Sequence, residues 1–193
     1  LEEDTILSSS AAPQPPTSVS LKPRDSAEAS TSAGSAAGSA DSIVFSIGQF
    51  ELGKTLYHDH KVRQMFMLFE FMPKFHRDDE QQTMRVKKES QFVDFGYTKA
   101  FPVKDSGLKA ALAALLDGGN PEDATIPFCL VSDDNGIDFE DVGFFELKLT
   151  DIYKHGDYVD RRVEVLDRND VPIGRVTVSV VAQKALQSIA LTR

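Results

Sequence analysis

From residue 41 onward the hydrophobic positions recur mainly with a period of two. Ile43, Phe45 and Ile47 alternate, and Phe50 and Leu52 continue on the other parity, with Gly48-Gln49 between them. A slip of one residue at a glycine predicts a β-bulge that keeps both halves facing one core. Met65, Met67, Phe69 and Phe71 predict a second strand, and Met84 with Val86 a short third one. Val93, Phe95, Tyr97, Phe101 and Val103 predict a fourth. Alternation returns at Ile126–Phe128–Leu130, over 144–149, at Val163 and Val165, and at Val176–Val178–Val180 after Pro172-Ile173-Gly174. Eight short strands at regular spacing predict an all-β fold, an eight-stranded antiparallel β-sandwich.

Two stretches change period. In DSGLKAALAALLDGG, Leu108, Ala111, Leu112, Leu115 and Leu116 share one helical face. Asp105 or Ser106 is placed to cap the start, and Gly118 or Gly119 to end it. This predicts one crossover helix docked on the core. Ala182, Leu186 and Ile189 predict a short C-terminal helix.

The chain has 193 residues, 41% of them hydrophobic and 26% charged. That suits one folded domain with extra chain. The extra chain is visible as a shift in composition: residues 8–40 are mostly Ser, Ala, Pro and Gly, including SAGSAAGSA. Such a segment buries too little apolar area to offset its ordering, so 1–41 is expected to be a disordered linker and 42–193 the domain. Only LEEDTIL at the front has the acidic-apolar mix of a docking peptide, and it lacks the basic flank and apolar run of a secretory signal.

The net charge of −9 makes nucleic acid and anionic membranes poor general partners. Positions 1–41 hold two basic and six acidic residues, leaving −5 on the remainder. A single cysteine, Cys129, excludes an intrachain disulfide and points to a reducing compartment. No apolar run approaches the roughly 20 residues needed to span a bilayer.

The candidate chemistry is sparse. His58-Asp59-His60 offers two imidazoles without a third ligand nearby, and the plainer reading is a solvated turn. Cys129, between Phe128 and Leu130, reads as a structural strand residue. There is no phosphate-binding glycine loop and no Ser/His/Asp grouping, so an enzyme is not expected. Binding is the remaining class. Strand QMFMLFEF is apolar on both parities: with Met65, Met67, Phe69 and Phe71 inward, Phe66 and Leu68 face outward. Outward apolar side chains are covered by another segment or form an interface. Phe75, beside His76 and Arg77 in PKFHRDDEQQ, has the makeup of an aromatic anchor with a polar rim. Phe66, Leu68, Phe75, His76 and Arg77 are therefore the candidate protein-binding residues.

VGFFELKLTDIYKHG followed by VPIGRVTVSVVAQKAL resembles the end of the C-terminal domain of the retinitis pigmentosa GTPase regulator (RPGR)-interacting proteins. IVFSIGQFEL, VRQMFMLFEF, GYTKAFPV and IPFCLVSD extend the resemblance over about 41–191. It implies a C2-type sandwich and an adaptor role. The implied partners are the β-propeller of an RPGR-like protein and other transition-zone proteins, at the ciliary transition zone and basal body. No cofactor is implied.

A C2-type fold raises the question of calcium. LVSDDNGIDFEDVGFF carries five carboxylates, with Asp133, Asn135 and Asp141 at plausible ligand spacing. The facing loop, GKTLYHDHKVRQM, supplies only Asp59 among His58, His60, Lys61 and Arg63. Calcium takes six to eight oxygens, so this half-site is expected not to hold it. The alternative class is a peripheral C2 domain that binds anionic lipid, with or without calcium, for which Lys87-Lys88 are the visible candidates; Glu89 beside them favours a solvated strand end.

Overall fold

Alternating apolar residues give β1 (Ser42–Leu52) one buried face, and Ile43, Phe45, Ile47, Phe50 and Leu52 are all inside. The change of parity is a bulge: register against the neighbouring C-terminal strand shifts between Ile47 and Phe50. A computed structural model describes residues 39–72, 80–119, 124–133 and 139–191. The expected linker, 1–41, lies outside the described residues except for 39–41.

The remaining elements are α1 (Lys54–His58), β2 (Gln64–Glu70), β3 (Glu80–Gln82), β4 (Val86–Lys87), β5 (Phe92–Pro102) and α2 (Ser106–Leu116). They continue with β6 (Thr125–Asp133), β7 (Phe139–Lys148), α3 (Leu149–His155), β8 (Tyr158–Leu166), β9 (Pro172–Val181) and α4 (Gln183–Leu191). All strand pairs are antiparallel. Strand order is β3-β2-β6-β7-β8-β9-β1-β5, with β4 also beside β2. Since β7 and β8 touch only at Phe144 and Leu166, the path folds into two halves, β3/β4-β2-β6-β7 and β8-β9-β1-β5. The short β3 and β4 share one edge of β2, so eight strand positions make the sandwich.

Aromatic rings fill the space between the halves. Phe45 packs against Phe69, Phe71 and Phe101 with centroids 5.3–5.5 Å apart. Phe128 stacks on Phe69 at 4.8 Å and on Phe145 at 4.5 Å.

At α2, the Asp105 carboxylate accepts from the Leu108 amide at 2.8 Å, and Leu108, Leu112 and Leu115 are buried. The α4 start is held from a distance: one Asp157 carboxylate oxygen accepts the Ala182 and Gln183 amides, each at 2.7 Å. These two helices and α3 pack on one another. The β1 end that pairs with Val181 and the β6 end that pairs with Lys148 lie toward them. The α1 loop and the β6 end at Asp133 lie at the other end.

Two expectations need correction. The third strand is interrupted: Thr83 takes the inward position, exchanging bonds of 3.0 Å with Met67, and Met84 is 76% exposed. The strand expected over 144–149 stops at Lys148, because Leu149 opens α3 and buries itself with Ile152 one turn on. Gly156, at φ +101°, ends that helix.

Candidate functional site

Register decides which side chains of β2, β6 and β7 face away from the core. The rows Phe69–Phe128–Phe145 and Met67–Leu130–Gly143 point inward. Between them runs Leu68–Cys129–Phe144, which continues to Leu166. This outward row is only partly covered: Leu68, Cys129 and Leu166 are half-buried and Phe144 is 37% exposed. Leu68 thus lies outward as expected. Toward the helices the next outward residues are exposed and acidic, Glu70 on β2 and Glu146 on β7, the latter paired with Pro127.

Toward the loop end the outward face is closed. Phe66, paired with Val131, is only 4% exposed, so the expectation of a solvent-facing anchor is corrected. Two residues cover it. The Phe139 ring meets it edge-on at 6.0 Å, and the Arg85 guanidinium lies 5.5 Å from the Phe66 centroid and 5.3 Å from that of Phe139. Phe139 itself is 52% exposed. Phe75, His76, Arg77 and Asn135 lie outside the described residues.

The described calcium candidates each meet a different partner. Asp133 is 1% exposed and receives Arg85 at 2.8 Å. Asp141 lies 3.7 Å from Arg168 and beside the Cys129 thiol. An Asp59 carboxylate oxygen accepts the Lys61 amide at 2.9 Å. Its loop is tied instead by Lys88, whose ammonium donates to the carbonyls of Leu56, at 2.9 Å, and Asp59. One edge segment, Arg85–Lys88, therefore sends a cation into each loop that would have to share an ion. Among the described residues no group of three or more His, Cys, Asp or Glu is placed to hold a metal.

Cys129 sits half-buried in the outward row. Burial first, then the Asp141 charge and hydrogen bond, push its thiol from 9.0 up to about 12, with Arg168 opposing. At neutral pH it is a protonated thiol.

Phe139, Phe144, Arg85 and the outward row were missed in the sequence. One signal was available. In a strand, adjacent Phe144 and Phe145 cannot both face the core. The β7 bulge at Val142 then decides which of them points out.

The family model described as "Retinitis pigmentosa G-protein regulator interacting C-terminal" matches residues 39–192. The chain belongs to this family. Solved structures of C2 domains share the fold of this RPGR-interacting C-terminal domain. A C2 domain-containing protein from an elicitor-responsive gene aligns with a TM-score of 0.50 and 10% identity, over 72% of this chain and 86% of that one. CC2D1B, described as acting in the mitotic reformation of the nuclear envelope, aligns with a TM-score of 0.56 and 9% identity. That alignment covers 79% of this chain and 60% of the other, less than two thirds of it. At such identities the likeness concerns the fold alone. A direct comparison with curated proteins gives no match. Among the described residues no helix is long and apolar enough to cross a membrane.

Proposed function

We propose that the RPGR-interacting C-terminal domain is a non-catalytic adaptor that binds the β-propeller of an RPGR-like protein and works at the ciliary transition zone and basal body. The observation that carries this reading is the family match across nearly the whole folded part, 39–192. The geometry supports it. Asp59, Asp133 and Asp141 are engaged by the chain's own groups, and Cys129 is a protonated thiol, so neither an ion nor a nucleophile has to be invoked. The adaptor acts independently of calcium. Titration calorimetry of the chain against a recombinant RPGR propeller tests the reading. Micromolar or tighter binding, unchanged by chelator, is expected; no heat at either high or low salt overturns it. In ciliated cells the tagged chain is expected at the base of the cilium.

A specific observation favours a second reading, an anionic membrane. At the loop end a pocket of about 540 Å³ is lined by Tyr57, His58, His60, Arg63 and Lys88, with Glu89 the single carboxylate. Co-sedimentation with phosphatidylserine vesicles, with and without calcium, separates the two readings. The adaptor reading expects the chain to stay in solution.

A further inference from the structure

The halves of the sandwich meet along two seams, and these are closed differently. Beside β5, Gln81 of β3 is 3% exposed and accepts the Tyr97 hydroxyl at 3.1 Å and the Lys99 ammonium. Beside β8, a single residue pair, Phe144 with Leu166, joins the halves, and from there β7 and β8 part. A cleft of about 830 Å³ opens between them. Residues 145–148 form one wall and 158–165 the other. Over these residues each strand is paired only on its far side, β7 with β6 and β8 with β9.

Strand alternation says which main-chain groups face the cleft. The Leu149 amide donates to Ala124 on the β6 side at 3.0 Å, so Glu146 and Lys148 turn their N–H and C=O the other way. On β8, the Leu166 carbonyl oxygen lies toward β7, 3.0 Å from where a β-carbon on Gly143 would stand, so Arg162 and Glu164 turn theirs to the cleft as well. The register agrees. The Ile173 carbonyl accepts the Gly53 amide on the β1 side at 2.7 Å, which turns Gly174, Val176 and Val178 toward Val165, Val163 and Arg161 of β8. Among the described residues no backbone bond reaches the edge positions from the cleft side. The inward side chains of β8 are fully buried at Val165 but only half-buried at Val163 and Tyr158, and the exposed Arg161 guanidinium lies 4.2 Å from the Tyr158 centroid. Charge does not choose an occupant, since Lys148 and Arg161 line the cleft together with Glu146 and Asp151. The main chain does: a row of open N–H and C=O groups fits another extended backbone.

We infer that an extended segment of the protein partner enters this cleft and adds as a strand beside β8. Its main chain pairs at Arg162 and Glu164, and its inward side chains, apolar at alternate positions, lie against Val163 and Tyr158. A cleft walled by two strand edges admits a single chain, which sets this occupant apart from a second sandwich docking edge to edge. A strand opposite 161–166 spans about 20 Å. The inference rests on the adaptor reading above and deepens it by saying how the partner is held.

The test uses the full chain and the isolated RPGR propeller as probe, titrated by calorimetry. Glu164→Pro and Arg162→Pro each remove a cleft-facing N–H and set a ring in the path of the added strand, without breaking a bond to β9. Each is expected to weaken binding about tenfold or more, while Glu164→Ala and Arg162→Ala stay within about twofold of the unmodified chain. Amide exchange on the unmodified chain needs no variant. The Arg162 and Glu164 amides are expected to exchange fast in the free chain and about tenfold or more slowly under saturating propeller. Should the proline variants lower the melting point substantially, the exchange measurement carries the test. Proline variants that bind like their alanine counterparts, or edge amides that stay fast in the complex, overturn strand addition and leave the adaptor reading standing. No binding by the unmodified chain overturns that reading and the site with it. Slow exchange at these amides in the free chain also sinks the inference: if light scattering shows a dimer a second copy holds the edge, and if a monomer the chain covers its own.

Discussion

Arg85 and Asp133 form a 2.8 Å ion pair in which the carboxylate is 1% exposed and the guanidinium side chain 43% exposed. The arrangement is asymmetric: the arginine keeps part of its hydration, while the aspartate is inside. It also joins two tasks. The same guanidinium roofs Phe66 and leans on Phe139, so one side chain closes the loop end of the outward face and pairs with one of the carboxylates that the sequence offers to an ion.

Replacing Arg85 by Met keeps most of the cover over Phe66 but takes the 2.8 Å cation away from the buried Asp133 carboxylate. Losing one partner of a fully buried pair costs about 3–5 kcal/mol, and the half-exposed arginine moderates this to roughly 2 kcal/mol here. The melting temperature of Arg85→Met is expected to fall by roughly 4–8 °C. Arg85→Met combined with Asp133→Asn is expected to recover most of the loss, because the buried carboxylate charge is then removed together with its cation. A double variant as unstable as the single one would show that the arginine acts by packing only.

Calcium is expected to leave the unmodified chain's melting temperature where it is. A ligand bound only by the native state adds about 2.7 kcal/mol at a hundredfold excess over Kd, which a thermal scan would register plainly. With Asp133 paired to Arg85 and the Asp59 loop tied by Lys88, millimolar calcium meets no group of three or more carboxylates among the described residues. An upward shift that Asp133→Asn with Asp141→Asn abolishes would reverse this conclusion.

Much of the fold was legible because a one-sided pattern reports its own burial. The β1 bulge, the Asp105 cap and the inward row of β2 follow from residues close in the chain. The short helices α1 and α3 were not legible. Leu149 continues the parity of Phe145 and Leu147, so a strand reading runs on into α3; packing on α4, not local period, bends the chain there. For the site, the outward apolar parity of β2 was visible, but what covers it was not. Arg85 and Phe139 reach Phe66 from other elements, and only register brings them together. Gln81 and Thr83, buried near β2, likewise gave no sign of it in the pattern.

Two of the glycines in the segments that resemble the family, Gly143 and Gly174, are expected to differ in tolerance. A β-carbon at Gly174 would stand 2.5 Å from the Glu51 carbonyl oxygen and 2.6 Å from the Phe50 ring, against backbone that cannot yield. At Gly143 it would meet mainly the side-chain ends of Ile173 and Val165, at 2.5 and 2.8 Å. Overpacking costs about 1–3 kcal/mol, so Gly174→Ala should fall at the top of that range and Gly143→Ala below it. Urea unfolding of both variants measures the order. Equal midpoints would mean that β9 can shift away from β1.

The last expectation concerns Cys129, whose thiol is pushed from 9.0 up to about 12, first by burial and then by Asp141. At pH 8 this leaves roughly a thousandfold less thiolate than an ordinary cysteine has, so alkylation of the folded chain should be slow and still rising above pH 10. Unfolding in urea should restore the ordinary rate. The sign for stability follows from proton binding: above pH 9 the unfolded chain gives up this proton while the folded chain keeps it, so the folded state loses stability between pH 9 and about 12. Below pH 9 the contribution is fully present. Because lysines and tyrosines titrate in the same window, the comparison is with Cys129→Ala, whose stability should fall less steeply there. Asp141→Asn, which removes the second cause, should bring the onset of alkylation to lower pH. A folded chain that is alkylated at pH 8 as fast as the unfolded one would show that burial and Asp141 do not hold the thiol in its protonated form.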